Sequence, residues 1–167
     1  MHTKILRYLA AFAIIAFCAQ TVIGIKQSEA ANNTSAEKEI VEIQKVWEKL
    51  LNGYIDKDIN SVMKEISPNY TKSIDGSTIR YEDFKKITEI SSTDFFNKHP
   101  NCSLNDIKIR KSNIKGNKAV VDFEYHLYAF DKDSMQWVTY GITQEVTFAK
   151  EHGKWKIVTT GNRNKLT

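Results

Sequence analysis

The sequence predicts an α+β domain in which helices pack on one side of an antiparallel sheet. Two observations carry that expectation. The first half holds apolar residues at helical spacing, and from Leu104 onward the chain is all strand and turn. Helices followed by a run of strands, rather than strict alternation of the two, is the pattern of segregated α+β layers. The clearest stretch is Met135–Gly161, which reads as two long strands around the turn Lys150–Lys154. Val138, Tyr140, Ile142, Gln144, Val146 and Phe148 recur at every second residue, as do Trp155, Ile157 and Thr159. Period two places each set on one face of a sheet.

The chain has 167 residues, which suits one domain behind a leader. Lys4 and Arg7 give a basic start, Tyr8–Cys18 is an unbroken apolar run, and Ser28-Glu29-Ala30 puts small residues three and one before Ala31. That is the layout of a cleaved signal peptide over residues 1–30, with residues 31–167 as the exported domain, periplasmic or extracellular. The rival, a retained anchor, is weakened by Gln20 and Thr21, because a spanning helix needs about 20 apolar residues. No membrane association is expected after cleavage. Cleavage removes Lys4, Arg7, Lys26 and Glu29, and the net charge falls from +4 to +2. So small and mixed a charge excludes a nucleic-acid-binding class. Of the two cysteines only Cys102 remains, so the mature domain holds no intrachain disulfide and relies on its core.

Thr34 followed by Glu37 is a capping-box pattern for helix 1, whose apolar stripe is Ile40, Ile43, Val46, Trp47, Leu50, Leu51 and Tyr54. Glu39, Glu42, Lys45 and Lys49 fall on its opposite side. Asp58 is an N-cap for a second helix through Val62, Met63 and Ile66, ended by Pro68. Asp75-Gly76 between short β-like runs signals a hairpin. Tyr81 to about Ile90 returns to helical spacing through Phe84, Ile87 and Ile90, while Ser91–Asn101 fits neither period cleanly. The strands Leu104–Lys111 and Ala119–Phe130 precede the final pair.

This order resembles an NTF2-like domain, most closely the SnoaL and DUF4440 branches. The resemblance spans about residues 37–160 and rests on three features: Asp58-Ile59 opening helix 2 with Ser67-Pro68-Asn69-Tyr70 at its exit; the hairpin at Asp75-Gly76; and Gly141-x-Thr143 followed by Gly153-Lys154-Trp155-Lys156-Ile157-Val158. It implies a cone of three helices against a strongly curved sheet, a pocket at the open end, and a homodimer through the sheet.

The resemblance also implies where isomerase chemistry would sit. The oxyanion tyrosine of a ketosteroid-isomerase-like site falls at Leu50, and its general base at Ile74, with Asp75 one residue on. Neither Leu50 nor Ile74 can exchange a proton, and no catalytic residue is assigned. Asp122, Glu124 and His126 share a strand face and have metal-ligand chemistry, but a solvated outer face or a polar subunit interface is the preferred reading, and no metal or cofactor is expected. The aromatic residues are better material. Trp47, Tyr54, Tyr125, Tyr140 and Trp155, with Gln144 breaking an apolar series, form the expected lining of a pocket for a small apolar or amphipathic ligand. The residues therefore favour binding of a ligand or protein partner over catalysis. The alternatives are a SnoaL-type lyase or isomerase and an assembly module using the outer sheet face, where Trp137 points by alternation.

The leader generates the first prediction. Exported protein should begin near Ala31 by mass spectrometry, and recovery of a secreted species that retains Met1–Gly24 would refute it.

Overall fold

A computed structural model describes residues 26–166, with side chains from Ser35 onward; of the leader read over residues 1–30, residues 1–25 lie outside the described residues. The chain divides into two compact units, one ending at Lys38 and one from Glu39 onward, and the second carries the features below. Three helices, α1 (Lys26–Ile55), α2 (Ile59–Glu65) and α3 (Tyr81–Lys98), accompany six strands. These are β1 (Thr71–Ile74), β2 (Ser77–Arg80), β3 (Cys102–Lys115), β4 (Lys118–Asp131), β5 (Gln136–Glu151) and β6 (Lys154–Lys165). β1 and β2 form a hairpin, and β3-β4-β5-β6 form an antiparallel meander in sequence order.

Local chemistry explains most of these elements. The Asp58 carboxylate accepts from the backbone N–H groups of Asn60 and Ser61, both at 3.1 Å, and so caps α2. The Ser61 hydroxyl bond on the same carboxylate holds its pKa below the ordinary aspartate value. Asp75-Gly76 and His152-Gly153 have positive φ at both residues, the type I′ geometry that matches strand twist in a two-residue hairpin. At the exit of α2, Ser67 is buried. Its N–H donates to the Ile157 carbonyl at 2.8 Å, and its hydroxyl donates to Glu151 at 2.6 Å, which ties the helix exit to the β5–β6 hairpin.

The core lies between the inner face of the meander and the helices. Ile43, Trp47, Leu50 and Leu51 of α1, with Val62, Met63 and Ile66, meet Val121, Phe123, Tyr125, Val146, Phe148, Trp155 and Ile157. Trp47 stacks on Phe123 at 5.2 Å and meets Tyr125 edge-on at 6.1 Å.

Four sequence expectations change. Helix 1 is helical from Lys26, so Thr34 and Glu37 lie inside it; a capping box acts only where the preceding chain leaves helical geometry. Glu39, expected on the solvated side, accepts from the Trp155 indole N–H at 2.6 Å and from Lys150 at 2.6 Å. The ambiguous stretch after Ile90 stays helical to Lys98, and α3 buries Thr88 while leaving Ile87 and Ile90 exposed. Finally, β6 turns Thr160 inward rather than Thr159, for a reason taken up with the site.

Trp155 anchors α1 to β6 through Glu39, with the Lys150 ammonium 5.3 Å above its ring. Trp155→Ala should cost about 3–5 kcal/mol. An unchanged urea midpoint would show that the contact is dispensable.

Candidate functional site

α3 turns Phe84, Thr88, Ser91, Ser92 and Phe95 toward the sheet. Their spacing of four, three, one and three puts them on one helical face. Phenylalanines stand at its two ends and small hydroxyl residues between them. Small residues cannot fill the space up to the sheet, and two adjoining chambers remain. One, about 280 Å³, lies between the ends of α1 and α3 and the strands at Leu104, Tyr125, Leu127 and Ile142. The other, about 330 Å³, lies beneath Trp47, Leu50 and Tyr54, against Gln144 and Thr160. Tyr54, Ser91 and Arg163 line both.

β6 supplies the polar wall through two bulges. Thr147 pairs with Thr159 but Phe148 with Ile157, so Val158 is an extra residue; Val146 pairs with Thr160 but Gln144 with Arg163, so Gly161 and Asn162 together face Glu145. Each extra residue reverses the alternation. Trp155 and Ile157 face inward, then Thr160 where a regular strand would have shown Thr159 and Gly161; the second bulge restores the phase, and Arg163 lies on the inner face as in a regular strand. Gly161 suits the bulge: a Cβ there would stand 3.3 Å from the Glu145 carbonyl oxygen.

The neutral polar groups of the wall satisfy one another. Tyr125 donates its hydroxyl to Gln144 Oε1 at 3.3 Å, and Gln144 Nε2 donates to the Gly161 carbonyl at 3.1 Å. Tyr70 Oη lies 3.0 Å from Thr160 Oγ1, and Tyr54 Oη 3.4 Å from Thr88 Oγ1. Burial raises the Tyr54 and Tyr125 pKa values above the ordinary tyrosine value, and Arg163 offsets part of that rise at both. At pH 7 these hydroxyls are protonated donors.

The charged groups have one sign. Lys72 donates to the Gly161 carbonyl at 3.3 Å; burial, then repulsion from Arg163, lowers its pKa. The Arg163 guanidinium lies 5.9 Å from the Tyr54 ring centre, within cation–π range. Among the described residues no aspartate or glutamate lines either chamber. The buried Trp47 indole N–H, which belongs to a residue lining the second chamber, has no hydrogen-bond partner.

Of the residues read from the sequence as pocket lining, the chambers bring together Trp47, Tyr54, Tyr125 and Gln144. Tyr140 faces inward farther along β5 and packs edge-on to His99 at 6.0 Å; Tyr125, not Tyr140, bonds Gln144. Trp155 borders a separate surface groove with Glu42 and Lys64. Leu50 is buried against the second chamber, Ile74 is 41% exposed, and Asp75 stands in the β1–β2 turn with φ 49°. On the outer face Glu124 pairs with Arg110 at 3.5 Å, and His126 lies 3.9 Å from Asp106. Among the described residues no group of three or more His, Cys, Asp or Glu is placed to hold a metal ion. No described helix is long and apolar enough to cross a membrane. His99, read as a loop residue, is buried at the end of α3 against Phe95. Sequence reasoning missed Lys72 and Arg163. Lys72 could have been found as the single cation of β1, two residues after the buried Tyr70, and Arg163 by continuing the alternation of Trp155, Ile157 and Thr159, because the two bulges cancel in phase.

No family model matches the chain, and no curated protein matches it. Solved structures do. An NTF2-like superfamily protein from Salmonella enterica serovar Typhimurium superimposes with a TM-score of 0.60 at 19% identity, covering 80% of this chain and 94% of that one. Hexachlorocyclohexane dehydrochlorinase LinA-type3 from Novosphingobium barchaimii gives 0.59 at 9% identity, covering 81% and 94%. A candidate calcium/calmodulin-dependent protein kinase II association domain from Xanthomonas campestris gives 0.54 at 14% identity, covering 75% and 86%. At such identities the likeness is one of fold.

Gln144 holds Tyr125 and the β6 bulge together. Gln144→Leu leaves the buried Tyr125 hydroxyl without an acceptor and should destabilise the domain by about 1–3 kcal/mol in urea unfolding. A midpoint equal to wild type would mean the bonds are replaced without loss.

Proposed function

Because the chain carries an NTF2-like fold whose inner chambers present hydroxyls, aromatic rings and cations but no carboxylate, we propose that it is an exported domain that binds a small apolar or amphipathic ligand without catalysis. The observation that carries the reading is α3, which places Thr88, Ser91 and Ser92 between two phenylalanines where a closed core would need large apolar side chains. In this reading the bulged meander curves into an open cone, and the chambers form its mouth. Ligand sites are commonly apolar clefts of roughly 300–1,000 Å³ with a few fixed polar groups. Proton-transfer chemistry of the isomerase type needs a base aimed at the ligand. Asp75, in an exposed turn, and Ile74 do not line the chambers.

A second reading has its own observation. Trp137 is 63% exposed and Met135 71%, and Trp137 packs edge-on to Phe130 at 5.7 Å. Exposed aromatic and methionine side chains are enriched at subunit contacts. We therefore add that a second copy of the chain docks on this end of the sheet; sedimentation of Trp137→Ser as a smaller species than wild type is the expected outcome.

The ligand reading is tested with N-phenyl-1-naphthylamine, a neutral dye that fluoresces in apolar sites. Wild type should bind one dye per chain, and Ser91→Trp, at an exposed α3 position bordering both chambers, should abolish the signal without unfolding the protein. Absence of saturable binding would overturn the reading. So would turnover of a β,γ-unsaturated ketosteroid that disappears in Asp75→Asn, which would restore the enzyme hypothesis.

A further inference from the structure

We infer that the ligand of the chambers is an amphipathic carboxylate, its anionic end held by Arg163 and Lys72 and its apolar end between α3 and the inner sheet face; this rests on the ligand-binding reading above. Three observations converge on it. First, both charged side chains at the chambers are cations, and among the described residues neither chamber is lined by a carboxylate to neutralise them. Lys72 spends one donor on the Gly161 carbonyl and keeps two. The Arg163 guanidinium, 5.9 Å from the Tyr54 ring centre, carries donors that fit a carboxylate bidentately.

Second, the two amide acceptors beside the cations are engaged by the protein. Gln144 Oε1 takes the Tyr125 hydroxyl, and the Gly161 carbonyl takes both Gln144 and Lys72. What remains is donor capacity, including the unpartnered indole N–H of Trp47. A ligand that accepts hydrogen bonds fits that surplus. Third, the polarity is divided. Arg163, Lys72 and Thr160 stand at one side, while the first chamber continues past Phe95, Leu104, Leu127 and Ile142, an apolar surface that a chain or ring would cover.

The two bulges of β6 have a role here. Together they slide Arg163 by two residues along β5, so that it stands opposite Gln144 where an unbulged pair would set it opposite Ile142, and they leave it on the inner face. The cation is thereby delivered to the chambers by backbone geometry and not by a flexible loop.

The test is a binding series with three eight-carbon probes, octanoate, octanol and octylammonium, followed by NMR amide shifts and calorimetry at fixed ionic strength. Octanoate should bind about tenfold tighter than octanol, the span expected of a charge-assisted hydrogen bond, and octylammonium weakest. Arg163→Gln should remove the preference for octanoate while leaving octanol affinity unchanged, and Lys72→Gln should reduce it. Lys111→Gln, an exposed cation on β3 paired in register with outward-facing Asp122, should change nothing. Equal binding of octanoate and octanol would overturn the carboxylate inference and leave the ligand-binding reading standing. So would a preference that survives both Arg163→Gln and Lys72→Gln. Failure of all three probes, in a protein with dispersed amide shifts, would overturn both.

Discussion

The two extra residues that β6 carries relative to β5 constrain the rest of the structure. In an antiparallel pair, side-chain direction has period two, so a single added residue exchanges the faces of everything beyond it. At Val158 the first addition brings Thr160 inside, where its hydroxyl meets Tyr70 at 3.0 Å. Tyr70 in turn packs on Phe84 at 4.5 Å, so the start of α3 is positioned by the first bulge. At Gly161-Asn162 the second addition restores the original phase, sets the exposed Arg163 at the border of the chambers and leaves the Gly161 carbonyl to accept from Gln144 and Lys72. One irregular strand thus fixes the polar wall, the entry to β1 and the seat of α3.

The opposite wall is built on a shortage. Helix α1 gives the sheet a full apolar stripe, in which Trp47 stacks on Phe123 and also borders the second chamber. Helix α3 gives it phenylalanines at the ends and Thr88, Ser91 and Ser92 between them. Filling that space with larger apolar residues would add burial at about 25 cal/mol per Å². The helix instead leaves the space open and keeps Ile87 and Ile90 toward solvent. Stability is concentrated at the α1 end, where Glu39, Lys150 and Trp155 join helix to hairpin, and the space available to a ligand lies at the α3 end.

Fold similarity leaves the chemistry open, because this architecture supports enzymes and assembly domains alike. Here the distinction rests on which polar groups remain unpaired. The tyrosines and Gln144 are tied to protein partners and carry out structural work. Lys72 and Arg163 retain donors and stand without a carboxylate beside them at the chambers. On the proposed reading, such a wall would attract an anion and orient it.

The sequence by itself determined the α+β class, the order of the elements, the Asp58 cap, the two Gly-containing hairpin turns and the inner faces of β4 and β5. Each depends on local chemistry or on a period that one strand carries alone. It also identified Trp47, Tyr54, Tyr125 and Gln144 as inward-facing, because they lie on regular helix and strand stretches. Tertiary structure decided the rest. The length of α3 was hidden because its inward face is made of Ser and Thr, which carry no hydrophobic period. Thr160, and the β5 residue that Arg163 meets, were hidden because a bulge is a mismatch between two strands, defined only when β6 is laid against β5. The partners of Gln144 and Trp155 were hidden because Tyr125 and Glu39 stand 19 and 116 residues away along the chain. Periodicity records which way a side chain points while its element stays regular; where pairing breaks the period, only the assembled sheet gives its direction.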